Sequence, residues 1–191
     1  EGEVSLKKGR VRMIALDGGG SRGAFQVEVL ARLEKLTQIR ASHMFDMAAG
    51  TSTGALTAGL MFNLKLPIRL VVRFYYITAD TLFKDMNAKN RTRRLKTIAE
   101  AIYGETVKLT VSQYPLIAFS SLRMEQNKSQ PEPFVFRNYL PNPVEGLGSN
   151  LAGSSDYPAV DTIRATTAAF PMLHCPTIGN SKVCLHNIAR Y

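Results

Sequence analysis

The chain has 191 residues, 45% of them hydrophobic and 20% charged, which describes one folded domain with a sizeable core rather than a disordered segment. No apolar run approaches the roughly 18 residues that a membrane-spanning helix needs, and the first residues do not resemble a signal peptide. The net charge of +9 favours anionic partners, which are phospholipid head groups or nucleic acid.

Residue 1 is glutamate rather than methionine, so we expect residues 1–191 to be a single domain excised from a longer chain. The two cysteines, Cys175 and Cys184, are too few for a disulfide framework. Two cysteines alone also do not supply the further ligands that a zinc site needs. We therefore expect a reducing setting inside the cell.

The first half of the chain alternates strand and helix patterns. A strand is predicted over residues 11–16, a glycine-rich loop over residues 17–23 and an amphipathic helix over residues 24–39. A second strand is predicted over residues 44–49, and an apolar helix over residues 55–62. This order of elements is typical of a parallel α/β sheet.

Residues 50–54 read Gly-Thr-Ser-Thr-Gly, a G-x-S-x-G pattern between the second strand and the helix that follows it. In this setting the pattern predicts a nucleophile elbow with Ser52 in a strained turn, while Gly50 and Gly54 avoid collisions with the neighbouring strand and helix. The backbone N–H of Thr53 then points to where an oxyanion would form. The alternative is an ordinary capping serine in a glycine-flanked turn, and the strand-to-helix setting favours the elbow.

The glycine loop allows two chemistries. Gly18, Gly20 and Gly23 satisfy G-x-G-x-x-G, a pattern that binds a dinucleotide when an acidic residue follows about 20 positions later. Glu34 falls inside the predicted helix and Asp46 falls early in the second strand, so neither is well placed. The other chemistry uses the exposed backbone N–H groups of the loop to stabilise an oxyanion. We favour it because the candidate nucleophile follows the adjacent strand.

The two motifs together resemble a known family. Asp-Gly-Gly-Gly-Ser-Arg-Gly at residues 17–23, followed by the elbow, resembles the opening of a patatin-like phospholipase domain, particularly that of the intracellular calcium-independent phospholipases A2. Residues 134–139 and 163–169 resemble later stretches of that family in the same order, so the resemblance spans residues 11–190. It implies a three-layer α/β/α fold with a mainly parallel central sheet.

The resemblance also implies lipid acyl hydrolysis by a Ser-Asp dyad, without histidine, metal or cofactor. By position, Ser52 would attack an ester carbonyl and form an acyl-enzyme that water then cleaves. The oxyanion loop would comprise Gly18, Gly19, Gly20 and Arg22, and the elbow would be shaped by Gly50, Thr53 and Gly54. The implied protein is cytoplasmic, acts on phospholipid, associates peripherally with anionic membrane surfaces and binds no nucleic acid.

The aspartate of that dyad is missing from its expected place. In the family an Asp-Gly-Gly or Asp-Gly-Ala lies shortly beyond the stretch that residues 163–169 resemble, whereas this chain has no Asp or Glu after Asp161. One explanation is that the chain joins segments across an omitted loop, and the short stretch between Tyr103 and Tyr114 favours it. The other is a catalytically inactive relative that binds a membrane or a protein partner.

A histidine triad is a further alternative. The chain order Ser52, Asp161, His186 is that of an α/β-hydrolase, and His174 is a second candidate for the imidazole. Asp161, however, falls in the first turn of a helix predicted to begin at Pro158, where a carboxylate interacts favourably with the helix dipole. We therefore interpret this aspartate and the histidines as structural or surface residues.

The middle of the chain indicates binding rather than chemistry. A helix predicted to begin at Pro67 is apolar nearly all round, so we expect it in the core rather than along a lipid channel. A basic cluster follows: Lys84, Lys89, Arg91, Arg93, Arg94 and Lys96. It is either a solvated helix start, although cations there oppose the helix dipole, or an attachment to an anionic membrane.

A nucleic-acid-binding module is the rival functional class. Only the basic cluster and the net charge support it, because the chain lacks the motifs of such modules and the elbow would stay unexplained. Further core strands are predicted over residues 114–119 and 134–139. Residues 142–156 are rich in Pro, Gly, Ser and Asn, which predicts a surface loop.

Overall fold

The computed structural model describes residues 11–84, 87–109, 114–125, 128, 130–139, 152–169, 172–179 and 181–184. Its strands are β1 (Met13–Leu16), β2 (Met47–Gly50), β3 (Leu116–Glu125), β4 (Glu132–Arg137), β5 (Ala152–Ser154), β6 (Thr177–Ile178) and β7 (Ser181–Cys184). Its α-helices are α1 (Gly23–Thr37), α2 (Ala41–Met44), α3 (Thr53–Ala58), α4 (Ile68–Phe83), α5 (Ala88–Tyr103) and α6 (Ala159–Thr167). A 3₁₀ turn (Gly20–Arg22) precedes α1, and a π-helical turn (Gly59–Asn63) continues α3.

The central sheet has the order β1-β2-β3-β4-β5, and neighbouring strands along it are parallel except for β3 and β4. β7 pairs antiparallel with the second half of β3 and with β6. Leu16, Gly50 and Phe119 lie side by side on the first three strands, so β1 and β2 end at the same edge of the sheet. The predicted α/β fold with a mainly parallel central sheet is confirmed.

The core lies on one face of the sheet. Ile117 and Phe119 of β3 and Phe136 of β4 are fully buried there, together with Phe62 of the π-helical turn and Ile163 of α6. Burying a side chain of this size stabilises the fold by about 1.5–3 kcal/mol. In the described part of the chain, no helix is both long enough and apolar enough to cross a membrane.

The second strand begins later than the sequence predicts, because the short helix α2 occupies its expected first residue, Met44. Asp46 sets the entry into β2. Its backbone N–H donates to the Arg12 carbonyl oxygen at 2.7 Å, and its Oδ2 accepts from the Arg12 N–H at 2.8 Å. These bonds align β2 with β1 before the sheet ladder begins.

Part of the predicted surface loop at residues 142–156 is a strand. Ala152–Ser154 pairs parallel with β4, whereas residues 142–151 lie outside the described residues. A Cβ on Gly153 would collide with the Val135 carbonyl oxygen, so the glycine permits the close pairing of β5 with β4. The glycine-rich composition of this segment nevertheless predicted a loop.

Cys175 is disulfide-bonded, which the sequence did not predict.

The Asp46 carboxylate links pH to stability. Hydrogen bonds from the Arg12 side chain and from the Tyr114 hydroxyl hold the pKa of Asp46 well below its usual range. A lowered folded-state pKa contributes stability above the unfolded-state pKa of about 4, and this stability is lost as pH falls below it. We expect acidification to lower the free energy of unfolding, measured in urea, by less in Asp46→Asn than in wild type. Asp156→Asn serves as an exposed control, and equal acid losses in all three proteins would contradict this expectation.

Candidate active site

Ser52 occupies a sharp turn between β2 and α3. Its backbone angles, φ 54° and ψ −122°, lie where side-chain-bearing residues are strained, as a nucleophile elbow requires. The turn is held at both sides, since Thr51 N–H donates to the Leu16 carbonyl at 3.1 Å and Leu56 N–H donates to the Ser52 carbonyl at 3.0 Å. Ser52 is only 9% exposed. The backbone of Ser52 therefore makes a strained strand-to-helix turn at the position where the sequence predicts one.

The two glycines of the elbow stand where a side chain has no room. A Cβ on Gly50 would lie 2.6 Å from Ala55 Cα, because α3 crosses directly over the end of β2. A Cβ on Gly54 would lie 2.7 Å from the Asp17 carbonyl oxygen and closer still to that of Leu16. Both obstacles are backbone atoms that a rotamer change cannot move.

The glycine loop passes close beside the serine. A Cβ on Gly18 would lie 3.0 Å from Ser52 Cβ, so the space between the loop and the serine has no room for a side chain. Gly19 and Gly20 have φ values of 155° and 59°, which favour glycine. The exposed Arg22 ends the 3₁₀ turn, and its N–H donates to the Gly19 carbonyl at 3.2 Å. The structure thus brings the predicted oxyanion residues together around Ser52.

Thr53 completes this group of backbone donors. It is the first residue of α3, where an N–H group has no acceptor within the helix. Gly54 N–H is different, because it donates to the Thr51 carbonyl at 2.9 Å. The Thr53 N–H therefore stands next to the serine at the positive end of a helix.

Tyr75 of α4 anchors the glycine loop, although no sequence pattern marks it for this role. Its hydroxyl donates to the Gly20 carbonyl, and it also fills the space where a Cβ of Gly23 would lie. Burial raises the pKa of this hydroxyl above its ordinary value. Tyr75 therefore stays a neutral donor at physiological pH and fixes the loop to the helix behind it.

Thr166 of α6 joins the elbow to the sheet. Its Oγ1 accepts from Ser52 N–H at 3.0 Å and donates to the Ser120 carbonyl of β3 at 2.8 Å. The hydroxyls of Thr51 and Ser120 make a second bond between the same segments. Thr166 belongs to the family-like stretch at residues 163–169, so this contact gives that stretch a physical role: it fixes the strained serine backbone.

A cavity of about 660 Å³ adjoins Ser52, which is within the usual range of roughly 300–1,000 Å³ for small-molecule sites. The glycine loop, Ser52 and Thr53 form one part of its wall. Much of the remaining described wall is apolar: Leu56, Ala79, Leu82, Leu95, Ala169, Met172 and Leu173. The cavity thus combines backbone donors at one side with a surface suited to a hydrocarbon chain.

Helix α4 corrects the expectation that it lies wholly in the core. Its residues Tyr75, Thr78, Ala79 and Leu82 line the cavity, while Ile77 is exposed to solvent. The spacing of the lining residues places them on one face of a helix. The apolar residues of α4 therefore serve both the core and the cavity wall.

No Asp, Glu or His occurs among the described residues that line the cavity, and no described side chain bonds to Ser52 Oγ. Asp161 lies in the first turn of α6 and pairs with Arg164 at 2.9 Å, as the structural interpretation predicted. His174 bonds through its backbone N–H to Thr92 Oγ1 at 3.0 Å, and His186 lies outside the described residues. Among the described residues, neither Asp161 nor His174 bonds to Ser52.

The acidic residues considered for a dinucleotide are engaged elsewhere. Glu34 Oε1 accepts from Ala41 N–H at 2.8 Å and thereby supports the start of α2. Asp46 binds Arg12 and Tyr114, as described above. Within the described residues, no three His, Cys, Asp or Glu side chains come together as a metal site would need.

The strain at Ser52 has a measurable consequence. Glycine relieves about 1–3 kcal/mol of backbone strain at such angles, which exceeds the roughly 0.4–1 kcal/mol that it costs through the unfolded chain. We therefore expect Ser52→Gly to unfold in urea with a free energy about 1 kcal/mol higher than Ser52→Ala. Equal stability of the two variants would mean that the turn is unstrained in solution.

Comparison with known proteins agrees with this geometry. The profile of the family described as patatin-like phospholipase matches residues 14–185. Calcium-independent phospholipase A2-gamma of Rattus norvegicus is 29% identical over 182 residues, covering 88% of this chain and 23% of that protein. Intracellular phospholipase A2 of Caenorhabditis elegans is 31% identical over 142 residues, covering 74% of this chain and 13% of that protein.

A third relative, the 85/88 kDa calcium-independent phospholipase A2 of Rattus norvegicus, is 26% identical over 133 residues, covering 70% of this chain and 16% of that protein. The chain therefore spans less than a quarter of the length of each of these relatives. The resemblance found in the sequence is confirmed, and since the profile match covers most of its length, the chain belongs to the patatin-like phospholipase family.

Proposed function

We propose that this domain hydrolyses acyl esters of phospholipids through an acyl-enzyme formed on Ser52. The observation that carries the proposal is the close approach of the glycine loop to Ser52 at the wall of a largely apolar cavity. The phospholipase names of the three relatives support the lipid class. An acyl chain in the cavity would bring its ester carbonyl to the serine.

The chemistry follows from the placement of the backbone donors. Attack by Ser52 Oγ turns the carbonyl oxygen into an oxyanion, and the Thr53 N–H and the N–H groups of the glycine loop would stabilise it. Such donors are already oriented before charge develops, and losing one typically costs about 3–4 kcal/mol of barrier. Collapse of this intermediate expels the lysophospholipid alkoxide, and water then releases the fatty acid from the acyl-enzyme.

The serine proton needs a base. Because the described cavity wall contains no carboxylate or imidazole, the base would come from outside the described residues, and the aspartate of the family pattern is absent from its expected place in this chain. The same observation favours a second candidate function, a catalytically inactive relative that binds a lipid surface or a protein partner. The chain has no Asp or Glu after Asp161, which fits that alternative equally.

Fatty-acid release from phosphatidylcholine in mixed micelles separates the two functions. We expect release by the wild type and by Ser155→Ala, a serine outside the cavity, but none by Ser52→Ala. Release should persist with a calcium chelator, because the resemblance implies no metal. No release from folded wild type, or equal release by Ser52→Ala, would overturn the hydrolase proposal.

We further propose that the basic cluster attracts an anionic membrane. The charge of Lys84 is partly compensated by an ion pair with Asp80 at 2.5 Å, and that of Lys96 by an ion pair with Glu100 at 3.2 Å. Lys89 and Arg93 are exposed on the first turns of α5. Each charge near such a surface contributes about 1 kcal/mol. The association would be peripheral.

Vesicle sedimentation tests this attraction. We expect Lys89→Gln with Arg93→Gln to weaken binding to phosphatidylglycerol vesicles by about 2 kcal/mol, whereas Arg69→Gln with Arg73→Gln on α4 changes it little. Binding should also fall steeply with salt. Equal losses in both double variants would contradict a localised surface, and salt-dependent binding to duplex DNA would favour the nucleic-acid alternative.

A further inference from the structure

The cavity wall has a near end and a far end along helix α4. Tyr75 marks the near end, because its hydroxyl donates to the Gly20 carbonyl of the loop beside Ser52. Ala79 and Leu82 follow Tyr75 on the same face of α4, and all three side chains line the cavity. Since Leu82 is seven residues further along the helix, the wall extends about 10 Å along the helix axis from the near end.

Two hydrogen bonds bring other segments to the Leu82 end of this wall. Arg94 Nη1 donates to the Thr81 carbonyl at 3.1 Å, which holds the first half of α5 beside the end of α4. His174 N–H donates to Thr92 Oγ1 at 3.0 Å, which holds the segment after α6 against the same part of α5. Next to Thr81, Arg94 and His174 in the sequence are three leucines that line the cavity: Leu82, Leu95 and Leu173.

We call Leu82, Leu95 and Leu173 the leucine end of the cavity. Leu95 is buried, and the other two are half-buried. Burial of each methylene group of a ligand against such side chains is favourable. The next described lining residue on α5 is the charged Arg91, one turn before Leu95 and nearer to the connection with α4. A hydrocarbon chain that continues past the leucine end therefore leaves the apolar part of the described wall.

We propose that the leucine end determines the length of the acyl chain, with the terminal methyl group bound there when the ester lies at Ser52. An extended hydrocarbon chain advances about 1.25 Å per methylene, so the stretch from Tyr75 to Leu82 accommodates about eight methylenes. The domain thus selects medium acyl chains of about eight to ten carbons. This inference rests on the proposed function for the position of the ester, and it deepens that function by naming the chain-length class.

Ala79 is a second position that controls chain length. It lies on the wall between Tyr75 and the leucine end, and it is the smallest of the α4 side chains that line the cavity. Its place in the helix is about 6 Å along the axis from Tyr75. A leucine in its place would therefore occupy the path of the acyl chain before the leucine end is reached.

Calorimetric titration of saturated fatty acids measures chain length without turnover, because they are the products of the proposed reaction. Hexanoate, octanoate, decanoate, dodecanoate and tetradecanoate are used below their micellar concentrations. We expect each added methylene to tighten binding to wild type by about 3- to 4-fold up to decanoate, and by less than about 1.5-fold beyond it. An undiminished gain through tetradecanoate, or no gain between hexanoate and decanoate, would overturn the proposal.

Leu82→Ala tests the leucine end itself. We expect it to weaken decanoate by about 5- to 10-fold and hexanoate by less than about 2-fold, because only the longer chain reaches this residue. Leu70→Ala is the matched control, since Leu70 is an exposed leucine of α4 outside the cavity lining and should change neither affinity. Equal losses of hexanoate and decanoate binding in Leu82→Ala would contradict a site for the chain end.

Ala79→Leu is an independent variant that adds volume instead of removing it. We expect decanoate to bind at least about 10-fold more weakly than to wild type, whereas hexanoate stays within about 2-fold. Unchanged decanoate affinity in this variant would show that the chain does not run along α4, and would overturn the proposal.

The outcome is separable from that of the proposed reaction. An affinity that stops rising at decanoate, in folded wild type that releases no fatty acid from phosphatidylcholine, would support the chain-length site and reject the hydrolase. Fatty-acid release by a protein whose affinity rises through tetradecanoate would reject the chain-length site alone.

Discussion

Gly54→Ala lowers the free energy of unfolding by about 3 kcal/mol or more, because the new methyl group meets backbone rather than side-chain atoms. Its Cβ would lie 2.7 Å from the Asp17 carbonyl oxygen and even closer to the Leu16 carbonyl. Relief requires α3 to move away from the end of β1. The same movement displaces Ser52 from the glycine loop, so any folded variant should also lose hydrolysis.

Urea unfolding measures the loss of free energy of unfolding. The Tm should fall by roughly 6–12 °C for a chain of this size. Gly179→Ala is the matched control. Gly179 has a positive φ of 58°, which Gly54 does not, and a Cβ at Gly179 meets nothing within 4 Å. It should cost only about 1 kcal/mol of left-handed strain. Similar losses in both variants would contradict a dominant collision between the new methyl group at position 54 and the end of β1.

Thr166→Val separates the hydrogen bonds of the elbow from its packing. Valine keeps the shape of threonine but leaves Ser52 N–H without its acceptor and the Ser120 carbonyl without this donor. Leaving the buried Ser52 N–H unpaired costs about 1–3 kcal/mol, so we expect a loss of roughly that size. We also expect at least about a tenfold fall in kcat, since small displacements of a nucleophile are costly.

Thr162→Val is the control in the same helix. Thr162 is fully buried, and its Oγ1 donates to the Pro158 carbonyl, which also accepts from Thr162 N–H. No backbone group therefore loses its only partner, and the expected change is below about 1 kcal/mol. Thr166→Ser, which retains the hydroxyl, should recover most of the kcat. A KM effect without a kcat effect would contradict a role in positioning Ser52.

The elbow and the glycine loop were predictable because their physical requirements are local. A side chain at Gly50 would collide with atoms only a few residues away, and one at Gly54 would collide with the end of the adjacent strand. The late start of β2 was not predictable in this way. It depends on hydrogen bonds between Asp46 and Arg12, which no local sequence pattern predicts.

The residues that hold the site in place come from distant parts of the chain. Tyr75 reaches the glycine loop from 55 residues away, and Thr166 reaches Ser52 from 114 residues away. Their types are ordinary for a core helix, so composition and periodicity give them no distinguishing signal. The contact between Arg91 and the cavity is hidden similarly, because in the sequence it belongs to a run of cations.

Labelling with a fluorophosphonate probe tests the central claim, that Ser52 is an activated nucleophile. Such a probe reacts only with a serine whose proton can be removed and whose oxyanion is stabilised. The account predicts labelling of wild type and of Ser155→Ala, and none of Ser52→Ala. Absence of labelling in wild type that unfolds cooperatively would contradict the claim and leave a lipid- or partner-binding role for this domain.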